Sequence, residues 1–179
     1  MKQVKTDYAN DLSYYKIAQF LKDYLDYDTI IICIGTDRCI GDCLGPLVGS
    51  MLIQRRFPLP VYGTLKDPIH ALNIDSKLKY LKDIHPENNI IGIDACLGEI
   101  ASVGEIQARD YPIHPGKGVG KSLPEVGTAS IIGIVDSNSN SNLFNSNTIR
   151  LSFIAEMANV IVHALLHTLY LIEDSNNKA

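Results

Sequence analysis

The amino-acid sequence predicts an α/β domain with a mostly parallel sheet between helical layers. Three observations carry this. Residues 29–34, 89–94 and 129–135 are short apolar runs rich in isoleucine, bounded by turn residues. Such runs suit strands covered on both faces. The segments between and around them carry apolar residues at helical spacing, and strands alternating with helices build α/β folds. The length of 179 residues fits one domain over 1–179, large enough to bury a core without staples.

The first periodic segment spans 11–26, where Ile17, Phe20, Leu21, Tyr24 and Leu25 form one stripe. Strand 29–34 follows, then a glycine-punctuated loop from Gly35 to Gly45. Pro46 stands where a helix accepts proline, in its first turn, and Leu47, Val48, Met51 and Leu52 give that helix its buried stripe. Residues 60–65 read as a short strand. Asp67-Pro68 reads as the cap and first turn of one or two helices reaching Ile84. After strand 89–94, residues 102–108 suit another strand with Val103 and Ile106 as its apolar members. Strand 129–135 leads into a Ser/Asn-rich stretch, 136–148, without core-forming residues, read as a mobile loop. Residues 152–173 form the last helix. Glu156, Asn159, His163 and His167 interrupt it, so it reads as a buried amphipathic helix rather than a bilayer span.

Composition narrows the function. Sixteen basic and twenty acidic residues leave a net charge of −4. That speaks against direct nucleic-acid binding and against a polybasic membrane surface, both of which need a cationic face. No apolar leader opens the chain, so a cytoplasmic protein with reduced thiols is expected. None of Cys33, Cys39, Cys43 and Cys96 lies in C-x-x-C spacing, and apolar filling is their favoured role over zinc binding or nucleophilic attack.

Ligands of open α/β sheets bind at the carboxyl ends of the strands. Asp42, in the loop after the first buried strand, and Asp94, closing the second, occupy that position. Converged, they would share one proton as acid and base, or share a hard cation. Apart, Asp42 would cap the helix at Pro46 and Asp94 a turn. Spacing alone leaves these readings open. Asp37 and Arg38, in the same loop, read first as a surface pair, with Arg38 holding a substrate carbonyl as the lesser reading.

Segment 114–124 partly matches a phosphate-binding loop, but Pro115 replaces its first glycine and Pro124 follows where a helix should run. Gly116, Gly118 and Gly120 instead suggest a backbone that a ligand approaches closely, with amides able to hold an anion or a peptide carbonyl. His114 beside them is a third candidate group for the two aspartates, weighed against a loop histidine bonded to backbone. His163 and His167, spaced i, i+4, lack the glutamate of a zincin and read as packing or surface residues. No G-x-S-x-G elbow is present.

Three segments in one order, Gly41-Asp42-Cys43-Leu44-Gly45-Pro46, Ile93-Asp94-Ala95 and 113–120, resemble the YyaC-type sporulation proteins, often called spore proteases. The likeness runs from about Asp28 to the last helix and includes 65–73. The same segments more distantly resemble germination protease, whose proposed catalytic acids match Asp42 and Asp94. They also resemble the hydrogenase maturation endopeptidases, whose metal-binding acids match the same two positions, with His114 a candidate for the metal-binding histidine. Gly41 stands where germination protease has proline, and the chain is shorter, so propeptide control is not carried over.

The resemblance implies a three-layer α/β/α fold of the hydrogenase-maturation-protease (phosphorylase/hydrolase-like) type. It implies a sporulation-associated endopeptidase of the forespore or spore core, with small acid-soluble spore proteins as one substrate class. Asp42 and Asp94 would activate water. Asp37, His114, Gly116, Gly118 and Gly120 would support them or bind substrate. No cofactor is required, though a divalent metal on Asp42, Asp94 and His114 is an option, and an oligomer is another. The alternative is a peptide- or metal-binding regulatory protein on the same fold. A nucleotide-binding protein is the weakest reading.

Overall fold

The computed structural model describes residues 1–115, 123–138 and 149–178. Among these residues six strands form one sheet: β1 (Gln3–Asp7), β2 (Thr29–Cys33), β3 (Val61–Tyr62), β4 (Asn89–Gly98), β5 (Glu105–Arg109) and β6 (Ala129–Ser137). The helices are α1 (Ser13–Leu21), α2 (Leu44–Gln54), α3 (Ile74–Ile84) and α4 (Leu151–Asn176). The strand order is β1-β5-β6-β4-β2-β3.

The sheet is mixed. β6, β4, β2 and β3 run parallel, whereas β5 is antiparallel to both β6 and β1. The expected parallel sheet is thus its middle and one edge. The antiparallel part follows from a short connection: residues 99–104 cannot hold the crossover helix that a parallel return needs, so β5 comes back beside β6.

Alternate residues of the parallel strands enter two apolar clusters. Ile31, Ile91, Ile93 and Ile131 pack with residues of α1, α2 and α4. Ile30, Ile32, Ile132 and Ile134 pack with Ile74, Leu78 and Leu81 of α3. Both faces are covered, which is why these strands read as continuous apolar runs instead of alternating ones.

Several boundaries differ from expectation. β1 carries no strong sequence signal, because only Thr6 in it is buried; pairing with β5, from Gln3 opposite Arg109 to Asp7 opposite Glu105, makes it a strand. Asp67-Pro68 does not start a helix. Asp67 bonds Thr64 through its amide and Lys77 through its carboxylate at 2.7 Å, and α3 begins after Asn73. The Asn73 side chain ties down the preceding turn, accepting from the His70 amide and donating to the Pro68 carbonyl. α2 begins at Leu44, which leaves Pro46 inside the first turn, where its missing N–H costs no hydrogen bond.

α4 is long and apolar enough to cross a membrane. In this fold Ile154, Met157, Ala158, Ile161, Val162, Ala164 and Leu165 are fully buried against the rest of the chain. The inner half of the helix thus belongs to the core.

β4 is longer than the sequence suggests and outruns its neighbour. β2 pairs with it only from Asn89 to Ile93, whereas β6 pairs with it from Ile91 to Gly98.

Candidate active site

The site sits where β2 stops and β4 continues. Past β2, the chain turns at Gly35 with φ +135°, a conformation that side chains rarely adopt. A Cβ there would lie 2.0 Å from the Asp42 carbonyl oxygen. The Thr36 amide donates to that same carbonyl at 3.0 Å. The loop therefore closes on itself, with Asp42 ending a single 3₁₀ turn over Ile40–Asp42. Gly45 completes the fold-back: a Cβ on it would lie 2.1 Å from the Ile34 carbonyl oxygen. Two positions without side chains thus return Asp42 to the end of the strand it left.

Asp94 arrives by register. Cys33, the last residue of β2, lies opposite Ile93, so Asp94 is the first residue of β4 beyond its neighbour's end. Its Oδ1 accepts the Ala95 amide at 2.8 Å. The structure thereby brings Asp42 and Asp94 into electrostatic contact. Burial pushes the Asp94 carboxyl well above the usual carboxylate range, and the Asp42 charge pushes it further; the Ala95 amide opposes both. Burial also raises Asp42, to about 6, with the Thr36 amide acting against it. Both residues keep some surface, so the pair is crowded by protein without being sealed. Of the two, Asp94 is the carboxyl driven toward its protonated form by its neighbour's charge, the division that two close carboxyls favour.

Asp42 is not the cap of α2, whose N-terminus has no side-chain cap. Asp37 is exposed on the same loop, near enough for its charge to raise the Cys43 thiol, after burial, which acts most. The expected Asp37–Arg38 pair does not form among the described residues: Arg38 is exposed, and its amide donates to Thr36 Oγ1. Adjacent residues of a turn splay their side chains apart, which removes the pairing geometry.

His114 pairs with Glu125, Nδ1 to Oε1 at 3.2 Å, on the surface. Among the described residues no three His, Cys, Asp or Glu side chains could hold a metal ion, so His114 does not complete the aspartate pair. Gly116, Gly118 and Gly120 lie outside the described residues, as does most of the Ser/Asn-rich stretch. Cys33 and Cys43 are buried, and burial raises both thiols, which suits apolar filling and not a thiolate nucleophile. His163 is exposed, its Nε2 2.9 Å from Arg55 Nη1, and His167 packs on Tyr14, Tyr15 and Tyr170, so the first is a surface residue and the second a packing one.

One acid escaped the sequence reading. Asp136 is buried at the carboxyl end of β6, its Oδ1 accepting the Ser137 amide at 2.8 Å. It repeats the arrangement of Asp94 one strand over. The signal was present in Ile134-Val135-Asp136, which ends an apolar strand as Ile93-Asp94 does. Lying opposite Leu97, it stands three residues farther along the sheet than Asp94.

A family model described as "Protein of unknown function (DUF1256)" matches residues 5–164, which include both aspartates and all the strands from β2 onward. The chain belongs to the DUF1256 family. A relative, "Uncharacterized protein YyaC" of Bacillus subtilis (strain 168), is 45% identical over 137 residues, covering 76% of this chain and 67% of the relative. The YyaC-type resemblance of the sequence is therefore a family relation. No activity comes with it.

Proposed function

We propose that this DUF1256 protein is an endopeptidase that activates water with Asp42 and Asp94. The observation that supports the reading is the pair itself: two interacting carboxyls at the sheet's carboxyl edge, one pushed to about 6 and the other raised well above the usual carboxylate range by burial and by the first one's charge. Perturbed groups of this kind concentrate at catalytic sites.

Asp42, ionised above about pH 6, takes a proton from a water molecule. The resulting oxygen nucleophile attacks the peptide carbonyl carbon. Asp94 donates its proton to the carbonyl oxygen as that bond is reduced to a single bond. Collapse of the tetrahedral intermediate breaks the C–N bond, and the departing amine takes the proton held by Asp42. Asp94 recovers its proton as the carbonyl reforms, so both carboxyls return to their starting states. The amides of Gly116, Gly118 and Gly120 are proposed to hold the substrate backbone or the developing oxyanion.

A divalent metal does not fit the described donor set, which offers two carboxyls and, among the described residues, no third His, Cys, Asp or Glu ligand. No step is routed through one. The likeness to germination protease supports a sporulation role, small acid-soluble spore proteins as substrate class, and a three-layer α/β/α architecture of the hydrogenase-maturation-protease type.

The test is incubation of the protein with small acid-soluble spore proteins in EDTA, with new termini read by mass spectrometry. The expected result is cleavage that falls at least about 100-fold in both Asp42→Asn and Asp94→Asn. No cleavage by the wild type, with or without added zinc, or undiminished cleavage by both variants, would leave the cleft as a binding site of a regulatory protein.

A further inference from the structure

The unequal lengths of β2 and β4 leave a backbone edge beside the aspartates. The Ile34 amide donates to the Ile93 carbonyl at 2.7 Å, so the main-chain groups of Ile93 face the β2 side. Strand residues alternate in this respect. Ile90 and Gly98, the even positions, face β6: their carbonyls accept from Thr128 and Asn138. Ala95 and Leu97 therefore aim their amides and carbonyls into the lane that β2 vacates after Cys33.

Among the described residues no strand fills that lane beyond Ile34. What occupies it locally is makeshift. The Ala95 amide is satisfied by the neighbouring carboxyl, Asp94 Oδ1, at 2.8 Å. Among the described residues the Leu97 carbonyl takes only the Cys96 thiol, at 3.1 Å, a weak donor. Ala95 to Gly98 are all partly exposed. β6, the strand on the far side, pairs with this stretch from Ala95 to Gly98, with a register shift between Cys96 and Leu97.

We infer that an extended polypeptide adds to this edge as a strand in the lane of β2, hydrogen-bonded to Ala95 and Leu97. This rests on the endopeptidase reading and names how that site takes its substrate. Strand addition reads the main chain of any extended segment and leaves selectivity to alternate side chains. The substrate class is accordingly an unfolded or locally extended chain. Entry of the added strand places one of its carbonyls beside Asp94, because the edge begins at the very next residue.

The probe is reduced, carboxymethylated α-lactalbumin, a permanently unfolded polypeptide, together with its tryptic peptides. Binding is measured by fluorescence polarisation in the Asp42→Asn background, where cleavage does not intervene. Leu97→Pro removes one edge donor and leaves the β6 pairing intact, since proline is tolerated where the N–H faces away from the sheet. Leu97→Ala keeps the donor and loses the same side chain. The expected result is binding retained within about threefold by Leu97→Ala and weakened at least tenfold by Leu97→Pro. Should Leu97→Pro fail to fold, peptides N-methylated at alternate residues supply the same comparison, with one of the two methylation registers losing binding.

Equal binding by both Leu97 variants, or by both methylation registers, would overturn the inference, as would no binding of any peptide. Binding without cleavage by the wild type would keep the edge and remove the endopeptidase. Undiminished cleavage by Leu97→Pro would do the reverse.

Discussion

Burial and the charge on Asp42 both push Asp94 toward its protonated form, and a protonated carboxyl donates a hydrogen bond where a carboxylate only accepts. The same cause sets a pH dependence of stability. Both groups have native pKa values above their unfolded ones, so the native state holds protons that the unfolded state releases. Their contribution is fully present below about pH 4 and is lost as pH rises through the native values. For Asp42, raised from 3.8 to about 6, the loss amounts to roughly 3 kcal/mol by the time pH 7 is reached. Asp94→Asn is expected to flatten the fall of the urea midpoint between pH 4.5 and 7.5 relative to wild type. A variant as steep as wild type would show that Asp94 titrates normally. Asp94 was legible in the sequence because a carboxylate closing an isoleucine-rich strand needs a compensating partner, and Asp42 because it lies in the glycine-punctuated loop that follows such a strand. Their electrostatic interaction was not legible, because it depends on a loop fold-back and on strand register.

The element that makes the site is the loop from Gly35 into α2, and its tolerance for side chains is small. Gly45→Ala puts a Cβ against the Ile34 carbonyl, which is backbone and cannot swing aside. A loss of about 1–3 kcal/mol in chemical denaturation is expected, together with displacement of Asp42. Unchanged stability in Gly45→Ala would mean that the loop has room to relax. The glycines of this loop were visible in the sequence, but which of them forbids a Cβ was not, since that depends on what packs against each one. β1 was missed, and the start of α3 misread, for a related reason. Val4 and Thr6 form a strand only because β5 lies beside them, and Asn73 precedes α3 only because its side chain holds the turn from Pro68 to His70.

Across the whole molecule, α4 ties the core together. It packs with α1, α2 and the sheet in one cluster that also holds Leu44, the first residue after the Asp42 loop. Leu165→Ala, at a fully buried position, is expected to cost about 2–5 kcal/mol, read as a lower urea midpoint with unchanged slope. A cost below 1 kcal/mol would show that α4 is not anchored as described. The α/β class was readable from isoleucine runs buried on both faces. The antiparallel edge was not, because it depends on how short a connection is and where the chain can turn. Everything proposed for the molecule's function depends on the coupling of two carboxyls. The most direct measurement is a ¹³C NMR titration of the Asp94 carboxyl in wild type and in Asp42→Asn. The expected result is an Asp94 pKa well above the ordinary carboxylate range, falling when the Asp42 charge is removed. An Asp94 that titrates near 4, or whose high pKa ignores the loss of Asp42, would contradict a paired site.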